Sequence, residues 1–151
     1  MPKIINYLRQ LSGTLEPDFL HRFRCLGEWG RIYHLHVRKT GGTSLNYMFI
    51  ALASPSPQEV YRKLCRKPSH SLTINGAIYT GWDKAKICKG DYFYAFSHHP
   101  LHRLRLPAST FAITCFRDPV ERVVSLYQML SHYRDTGVNH PCMAEQGPWL
   151  G

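Results

Sequence analysis

The chain has few acidic residues: its 151 residues include 10 Asp and Glu against 19 Lys and Arg, which gives a formal net charge of +9. An excess of this size predicts an anionic partner, but it does not choose among a nucleotide, a sulfated sugar, a nucleic acid and a membrane surface. Internal repeats and low-complexity linkers are absent, and a hydrophobic content of 44% is sufficient for a packed core. These features exclude a disordered chain as the global state. We expect one domain over residues 1–151, with residues 1–30 as a short amphipathic helix and an irregular lead-in.

Paired cysteines and long apolar runs are also lacking. The five cysteines are scattered, odd in number and without a CxxC pair, which argues against a zinc knuckle and against a compact disulfide framework. The N-terminus lacks the apolar run of a signal peptide, and no later stretch reaches about 18 apolar residues. These absences predict a cytoplasmic protein with thiols in a reducing compartment and no transmembrane segment.

Three apolar runs indicate β-strands. They cover residues 32–37, 92–96 and 111–116, and Asn75-Gly76 between two shorter runs has the form of a hairpin turn. Helical stretches separate the three runs, which predicts an α/β fold with a largely parallel sheet. Ligands of such sheets bind beyond the carboxyl ends of the strands. We therefore expect the loops that follow the first and third runs to lie at one edge.

Two helices carry start signals in the sequence. Ser56-Pro57-Gln58-Glu59 has the form of a capping box and predicts a helix through about Cys65. Asp118, Pro119 and Glu121 form a similar start after the third strand. Apolar residues at helical spacing predict one face of each helix that follows a strand. These residues are Leu45, Met48, Phe49 and Leu52 in the first case, and Val120, Val123, Val124, Tyr127 and Leu130 in the second.

The loop between the first strand and its helix has the composition of an anion-binding loop. Gly41 and Gly42 permit a close backbone approach, and the helix N-terminus adds partial positive charge. Lys39 supplies a full charge, while Thr40, Thr43 and Ser44 supply hydroxyl donors. The order differs from the GxxxxGK[ST] of nucleoside-triphosphatases because the lysine precedes the glycines. The alternative interpretation is a glycine turn with an incidental lysine.

The helix after the third strand offers a second candidate. Arg117 precedes it, and Ser125 lies eight residues further on. A guanidinium group binds two oxygens of a phosphate at once, and a cap at Asp118 would fix the first turn beside it. The alternative is a surface ion pair between Arg117 and Asp118, which contributes little.

Together the two segments resemble a known family. Residues 36–45 (HVRKTGGTSL) are similar to the 5′-phosphosulfate-binding loop of sulfotransferases that use 3′-phosphoadenosine 5′-phosphosulfate (PAPS). The likeness is strongest to the carbohydrate type related to heparan sulfate 2-O-sulfotransferase. Residues 116–127 (FRDPVERVVSLY) resemble the 3′-phosphate-binding segment of the same family. The resemblance implies a P-loop-like, three-layer α/β fold with a mostly parallel central sheet, here in a short form.

The resemblance also implies roles for individual residues. Arg117 and Ser125 would hold the 3′-phosphate, and Lys39 would in addition neutralise charge on the bridging oxygen as the sulfur–oxygen bond breaks. No metal is required in this scheme. The residues implied for the 5′-phosphosulfate are Lys39, Gly41, Gly42, Thr43 and Ser44. Arg38 and Thr40 of the same loop are further cofactor-binding candidates.

A histidine is the implied base for the acceptor hydroxyl. His98 matches the family position best, with His99 in reserve, and a pKa near neutrality suits the step. The alternative is that one or both imidazoles only bond backbone at a strand end. His34 and His36 alternate on the first strand and suggest a metal pair, but without a third ligand we expect histidines of the core or of the site lining.

Departures from the family leave the function open at this point. The C-terminal part that covers the adenine and 3′-phosphate in relatives has no evident counterpart, and Ser97 stands where glycine is usual. The sequence favours transfer of the sulfuryl group of PAPS to a hydroxyl of a carbohydrate or similar acceptor. The alternative is an inactive module that binds PAPS or its product 3′-phosphoadenosine 5′-phosphate (PAP), or a truncated remnant. Nucleic-acid binding through the net charge ranks last because no recognised motif supports it.

Overall fold

The computed structural model describes residues 29–150, and its centre is a five-stranded sheet. The strands are β1 (Arg31–Leu35), β2 (Ser71–Ile74), β3 (Ala77–Gly81), β4 (Tyr94–Ser97) and β5 (Thr110–Thr114). Their order across the sheet is β2-β3-β4-β1-β5. The β2–β3 pair is antiparallel and the other three pairs are parallel. The predicted α/β fold with a mostly parallel sheet is therefore confirmed, whereas the predicted helix within residues 1–30 lies outside the described residues.

Five helices connect and flank the strands in this part of the chain. They are α1 (Gly42–Ala51), α2 (Pro57–Arg66), α3 (Lys84–Lys89), α4 (Pro119–Thr136) and α5 (Pro141–Gln146), with single 3₁₀ turns at Leu101–Arg103 and Gly147–Leu150. Between residues 29 and 150, no helix is both long enough and apolar enough to cross a bilayer.

The central strand β4 is covered on both faces, to which its successive side chains point in turn, whereas the edge strand β5 is only partly buried. On one face, Tyr94 and Phe96 of β4 are fully buried in a cluster that also contains Ile50 and Leu64 from α1 and α2. On the other face, Ala95 belongs to a second cluster. Its other buried members are Tyr33, Ile87, Tyr92 and Leu104. Helix, sheet and helix thus form the three layers that the resemblance implied.

The predicted hairpin is present, and the predicted strand ends shift by one or two residues. Asn75 and Gly76 both have positive φ, 47° and 81°, which matches the twist of the antiparallel pair they connect. β1 ends at Leu35 instead of at residue 37. The cause is that the His36 N–H still bonds β4 at Ser97, while the Val37 N–H turns back to the Leu35 carbonyl.

The predicted apolar face of α1 is correct in part: Phe49 packs against the core and stacks on Tyr94, but the fully buried residues lie one position further along the helix. Gly42, Asn46 and Ile50 are the buried residues of this helix, whereas Met48 is 57% exposed. The sequence pattern missed this face because glycine and asparagine do not count as apolar. Both are buried here because they meet two histidines, one in β1 and one just after it: Asn46 accepts a hydrogen bond from His34, and the backbone at Gly42 passes close to the ring of His36.

The predicted capping box at the start of α2 is not formed. The helix begins at Pro57 as expected, but the Ser56 side chain makes no capping hydrogen bond. The Ser56 N–H instead donates to Ser54 Oγ at 3.2 Å, and Glu59 pairs with Lys63 at 2.8 Å along the helix. The local features that favour this helix are therefore the proline at its first position and the i, i+4 ion pair.

The apolar stripe predicted on α4 is mostly exposed. Val120, Val123, Val124 and Tyr127 are 49–71% exposed, and only Leu130 is buried, at 2%. The helix packs chiefly against α5 and the last 3₁₀ turn. Its N-terminal half contacts the loop after β1 through a hydrogen bond from Arg122 to the Arg38 carbonyl.

Candidate functional site

The parallel strands bring three chain segments to one edge of the sheet. β1 lies between β4 and β5, and both pairs are parallel. The loops that follow these strands, with Lys39, His98 and Arg117, therefore leave the sheet side by side. β1 is also where the strand order reverses, since the later strands lie on its two sides, and such a point forms a crevice for ligands.

The loop before α1 leaves the start of the helix open to an anion. Lys39 and Gly41 have φ of 65° and 88°, so two residues of the loop adopt the left-handed conformation before the helix begins. No side chain caps the N-terminus of α1, and no acidic residue lies in its first turn. The partial positive charge of the helix start is thus not neutralised by the helix's own side chains. Thr40 is buried and donates its hydroxyl to the Val37 carbonyl at 2.9 Å, so this hydroxyl holds the loop together.

A groove of about 280 Å³ brings the two sequence segments together. It is lined by Lys39, Gly41, Gly42, Thr43, Arg117 and Ser125. Six of the nine residues suggested for donor binding thus line one depression, although the segments are some 75 residues apart in the chain. Arg38, Thr40 and Ser44 belong to the same loop but do not line this groove.

A second groove of about 350 Å³ continues along α4 and shares Arg117 and Ser125 with the first. Its remaining lining residues are Val120, Glu121, Val124 and Gln128. Sequence reasoning had not assigned Gln128 to the site. The signal was present, because residues 117, 121, 125 and 128 recur at helical spacing on the side that carries Ser125.

Arg117 is oriented by Glu121 and not by its neighbour Asp118. The Arg117 Nε donates to Glu121 Oε2 at 3.0 Å, which leaves its terminal nitrogens outside this bond. Asp118 accepts the Glu121 N–H at 3.0 Å and caps α4, as predicted. The expected alternative, a pair between Arg117 and Asp118, is therefore replaced by a cap and an i, i+4 ion pair.

The two segments are also joined by a direct hydrogen bond. Arg122 of α4 donates its Nε to the carbonyl of Arg38 at 3.0 Å, across 84 residues of sequence. Arg38 itself lies 3.9 Å from Glu145 of α5. Arg122 had not been considered as a site residue, and nothing local in the sequence indicates this contact. It fixes the distance between the loop and the start of α4.

His98 presents one ring nitrogen outward. Its Nδ1 hydrogen-bonds to the backbone carbonyl of His36. Since a carbonyl can only accept, Nδ1 carries the proton and Nε2 carries the lone pair. Partial burial of the ring lowers the pKa of His98, the hydrogen bond to His36 opposes this, and Arg38, His99 and His140 lower the pKa further. The neutral form, which can accept a proton, is thereby favoured.

His99 is less available than His98 to act as a base, because its side chain and backbone both contact neighbouring groups. Its Nε2 lies 3.3 Å from the Trp82 carbonyl, and its backbone carbonyl accepts a hydrogen bond from the Tyr33 hydroxyl at 3.1 Å. Its backbone N–H donates to Ser97 Oγ at 3.1 Å. This is the backbone-bonding role that sequence reasoning had left open for one of the two histidines.

His34 and His36 pack side by side in the interior, next to His98. His34 is fully buried, donates from Nδ1 to Asn46 Oδ1 at 2.8 Å, and lies 3.0 Å from the Tyr94 hydroxyl. His36 is 7% exposed, stacks on His34 with ring centroids 5.3 Å apart, and lies at a tilt of 45° to His98 with centroids 4.9 Å apart. Within residues 29–150, no group of three or more His, Cys, Asp or Glu is placed to hold a metal ion.

A groove with a lysine, an arginine and a helix N-terminus, at the carboxyl edge of a mostly parallel sheet, is typical of proteins that bind phosphorylated or sulfated ligands. The sequence model of the sulfotransferase family matches residues 28–145. The chain therefore belongs to the sulfotransferase family. No curated protein and no solved structure matches it significantly.

Proposed function

We propose that this protein transfers the sulfuryl group of PAPS to a hydroxyl of a carbohydrate or similar acceptor. The observation that carries the proposal is the groove that joins the loop at Lys39 to Arg117 and Ser125. PAPS has two separated anionic groups, and the groove has a cationic side chain and hydroxyl or backbone donors at each of its two sides. A cationic side chain at each end of the groove would allow one ligand with two anionic groups to be recognised.

The donor set suits PAPS. The uncapped start of α1, Lys39 and the Thr43 hydroxyl would bind the 5′-phosphosulfate. Arg117 and Ser125 would bind the 3′-phosphate. The one carboxylate in the adjoining groove, Glu121, is held by Arg117, so its charge is compensated locally. The second groove, with Val120 and Val124, offers apolar surface next to Arg117 for the nucleoside.

The proposed reaction needs positioning, charge stabilisation and one base. The acceptor oxygen forms a bond to sulfur while the bond from sulfur to the bridging oxygen of the phosphate breaks, and PAP leaves. Lys39 stabilises the charge that develops on the bridging oxygen. The acceptor proton passes to Nε2 of His98, which holds the lone pair because Nδ1 donates to the His36 carbonyl.

Transfer of labelled sulfuryl from PAPS to a panel of partly desulfated glycans and simple sugars tests this function. We expect label in at least one carbohydrate, at a rate that depends on both the acceptor and the enzyme concentration. Thermal melting with PAP in the same samples reports donor binding independently. A chain that is stabilised by PAP but transfers label to no acceptor would be an inactive binding module, and the proposal would be wrong.

A further inference from the structure

The His36 side chain lies between the loop proposed to bind the donor and the proposed base His98, and it contacts both. It directly follows the end of β1, its ring lies against the start of α1 at Gly42, and the residue is 7% exposed. A Cβ atom added at Gly42 would lie 2.1 Å from His36 Cδ2 and 2.6 Å from its Nε2. Since real Cβ atoms do not approach so closely, the loop has its present path only because residue 42 is glycine. The φ of Gly42 does not require glycine, so the requirement comes from the His36 ring.

The other side of His36 meets His98. The two rings lie with centroids 4.9 Å apart, and the backbone carbonyl of His36 accepts the hydrogen bond from His98 Nδ1. One residue therefore touches both the donor loop, through its ring, and the base, through its ring and its backbone. Within the described chain, this is a direct physical link between the β1 loop and the end of β4.

The polarity of His36 is not explained by hydrogen bonding. Its Nδ1 is buried and has no hydrogen-bond partner among residues 29–150. An aliphatic or aromatic side chain would avoid the cost of burying this nitrogen. Burial first, and then the neighbouring His98, His34 and Arg38, lower the pKa of His36 to about 4. At neutral pH the ring is consequently uncharged, and it lies against His98 without adding a positive charge.

We propose that His36 is a positioning residue that sets the path of the donor loop at Gly42 and shields one face of the base His98. This inference rests on the proposed function, because it assigns His98 and the loop their roles. The new element is that the imidazole of His36 couples the position of the donor loop to the position of His98. Loss of the ring should therefore change both donor affinity and the protonation of His98.

The coupling is testable with a double-mutant cycle of Gly42→Ala and His36→Ala, read by calorimetric binding of PAP. Gly42→Ala alone should weaken PAP binding by at least about tenfold, because the new methyl group overlaps a ring that is packed on both sides. In the His36→Ala background the same change should cost at most about threefold, since the ring is gone, and contacting residues are not additive. Tyr47→Ala, also on α1 but with its ring against Tyr61, is the matched control, and its effect should add to that of Gly42→Ala.

A second readout separates positioning from simple support of the fold. The pKa of His98, followed through its imidazole Cε1–H resonance, should rise toward 6.5 in His36→Ala because water reaches the uncovered ring. The charged and titratable groups that face His98, namely Arg38, His99 and His140, are unchanged in this variant. His36→Asn, which removes the ring atoms nearest Gly42 but keeps a planar polar group, should give the same two results if the alanine variant does not fold.

Both results are required. An additive cycle, or a His98 titration that does not move, overturns the proposal even when the wild-type chain binds PAP and transfers sulfuryl. If the wild-type chain does not bind PAP, the proposed function fails. The cycle read by thermal unfolding, together with the titration, then still decides whether His36 positions the loop and His98.

Discussion

Lys39→Ala should lower kcat for sulfuryl transfer by about 100- to 1,000-fold, the range found when one preorganised donor to a developing charge is removed. Lys39 lines the groove next to the N-terminus of α1, which no side chain caps. Its backbone is in the left-handed conformation, with φ of 65°. The negative charge on the bridging oxygen increases as the sulfur–oxygen bond breaks. An interaction made mainly in that state affects kcat more than KM for PAPS.

The matched control for this variant is Lys89→Ala. Lys89 is an exposed lysine that pairs with Asp91 at 2.6 Å and does not line either groove. We expect Lys89→Ala to keep wild-type kinetics and Lys39→Ala to keep the wild-type melting temperature. If Lys39→Ala raised KM with kcat unchanged, the lysine would only bind the donor and would not stabilise the transition state.

His98→Asn should reduce transfer by about 100- to 10,000-fold, as is usual for loss of a general base, while PAP binding stays unchanged. Asparagine has no nitrogen lone pair to accept the acceptor proton. His99→Asn should have a much smaller effect because its Nε2 lies against the Trp82 carbonyl. The reverse ranking of the two variants would assign the base to His99. The comparison is made on kcat/KM for the acceptor at saturating PAPS.

The pH profile of the wild-type enzyme tests the assignment of His98 as the base, because it shows on which side of the His98 pKa the activity is lost. Only neutral His98 accepts a proton, so activity is present above its pKa and is lost as the pH falls through it. Burial lowers this pKa below 6.5. We therefore expect the acidic limb of kcat/KM to lie below pH 6.5 and to be absent from the residual activity of His98→Asn. An acidic limb well above 6.5 would contradict a partly buried, neutral base.

Much of the edge geometry was predictable from local sequence patterns. The runs at β1, β4 and β5, the glycines after β1 and the cap at Asp118 are short-range signals, and parallel pairing places their ends together. The parallel sheet was enough to expect that Lys39 and Arg117 would lie at one edge.

The contacts between segments were not predictable in this way. Arg122 bonds the Arg38 carbonyl 84 residues away, and backbone acceptors have no sequence signature. The buried face of α1 was misplaced because Gly42 and Asn46 are buried against His36 and His34, and not through apolar packing. The stripe on α4 has helical spacing but is mostly exposed, because spacing reports which residues share a face and not what covers that face.

Calorimetric titration of the chain with PAP and with AMP tests the central claim most directly, because the two ligands differ only in the 3′-phosphate. We predict that PAP binds at least about tenfold more tightly than AMP, a difference of about 1.4 kcal/mol. Arg117→Ala should remove this preference, whereas Arg134→Ala, on the same helix but paired with Asp135, should keep it. Equal affinity for PAP and AMP, or a preference for PAP that survives in Arg117→Ala, would contradict the account.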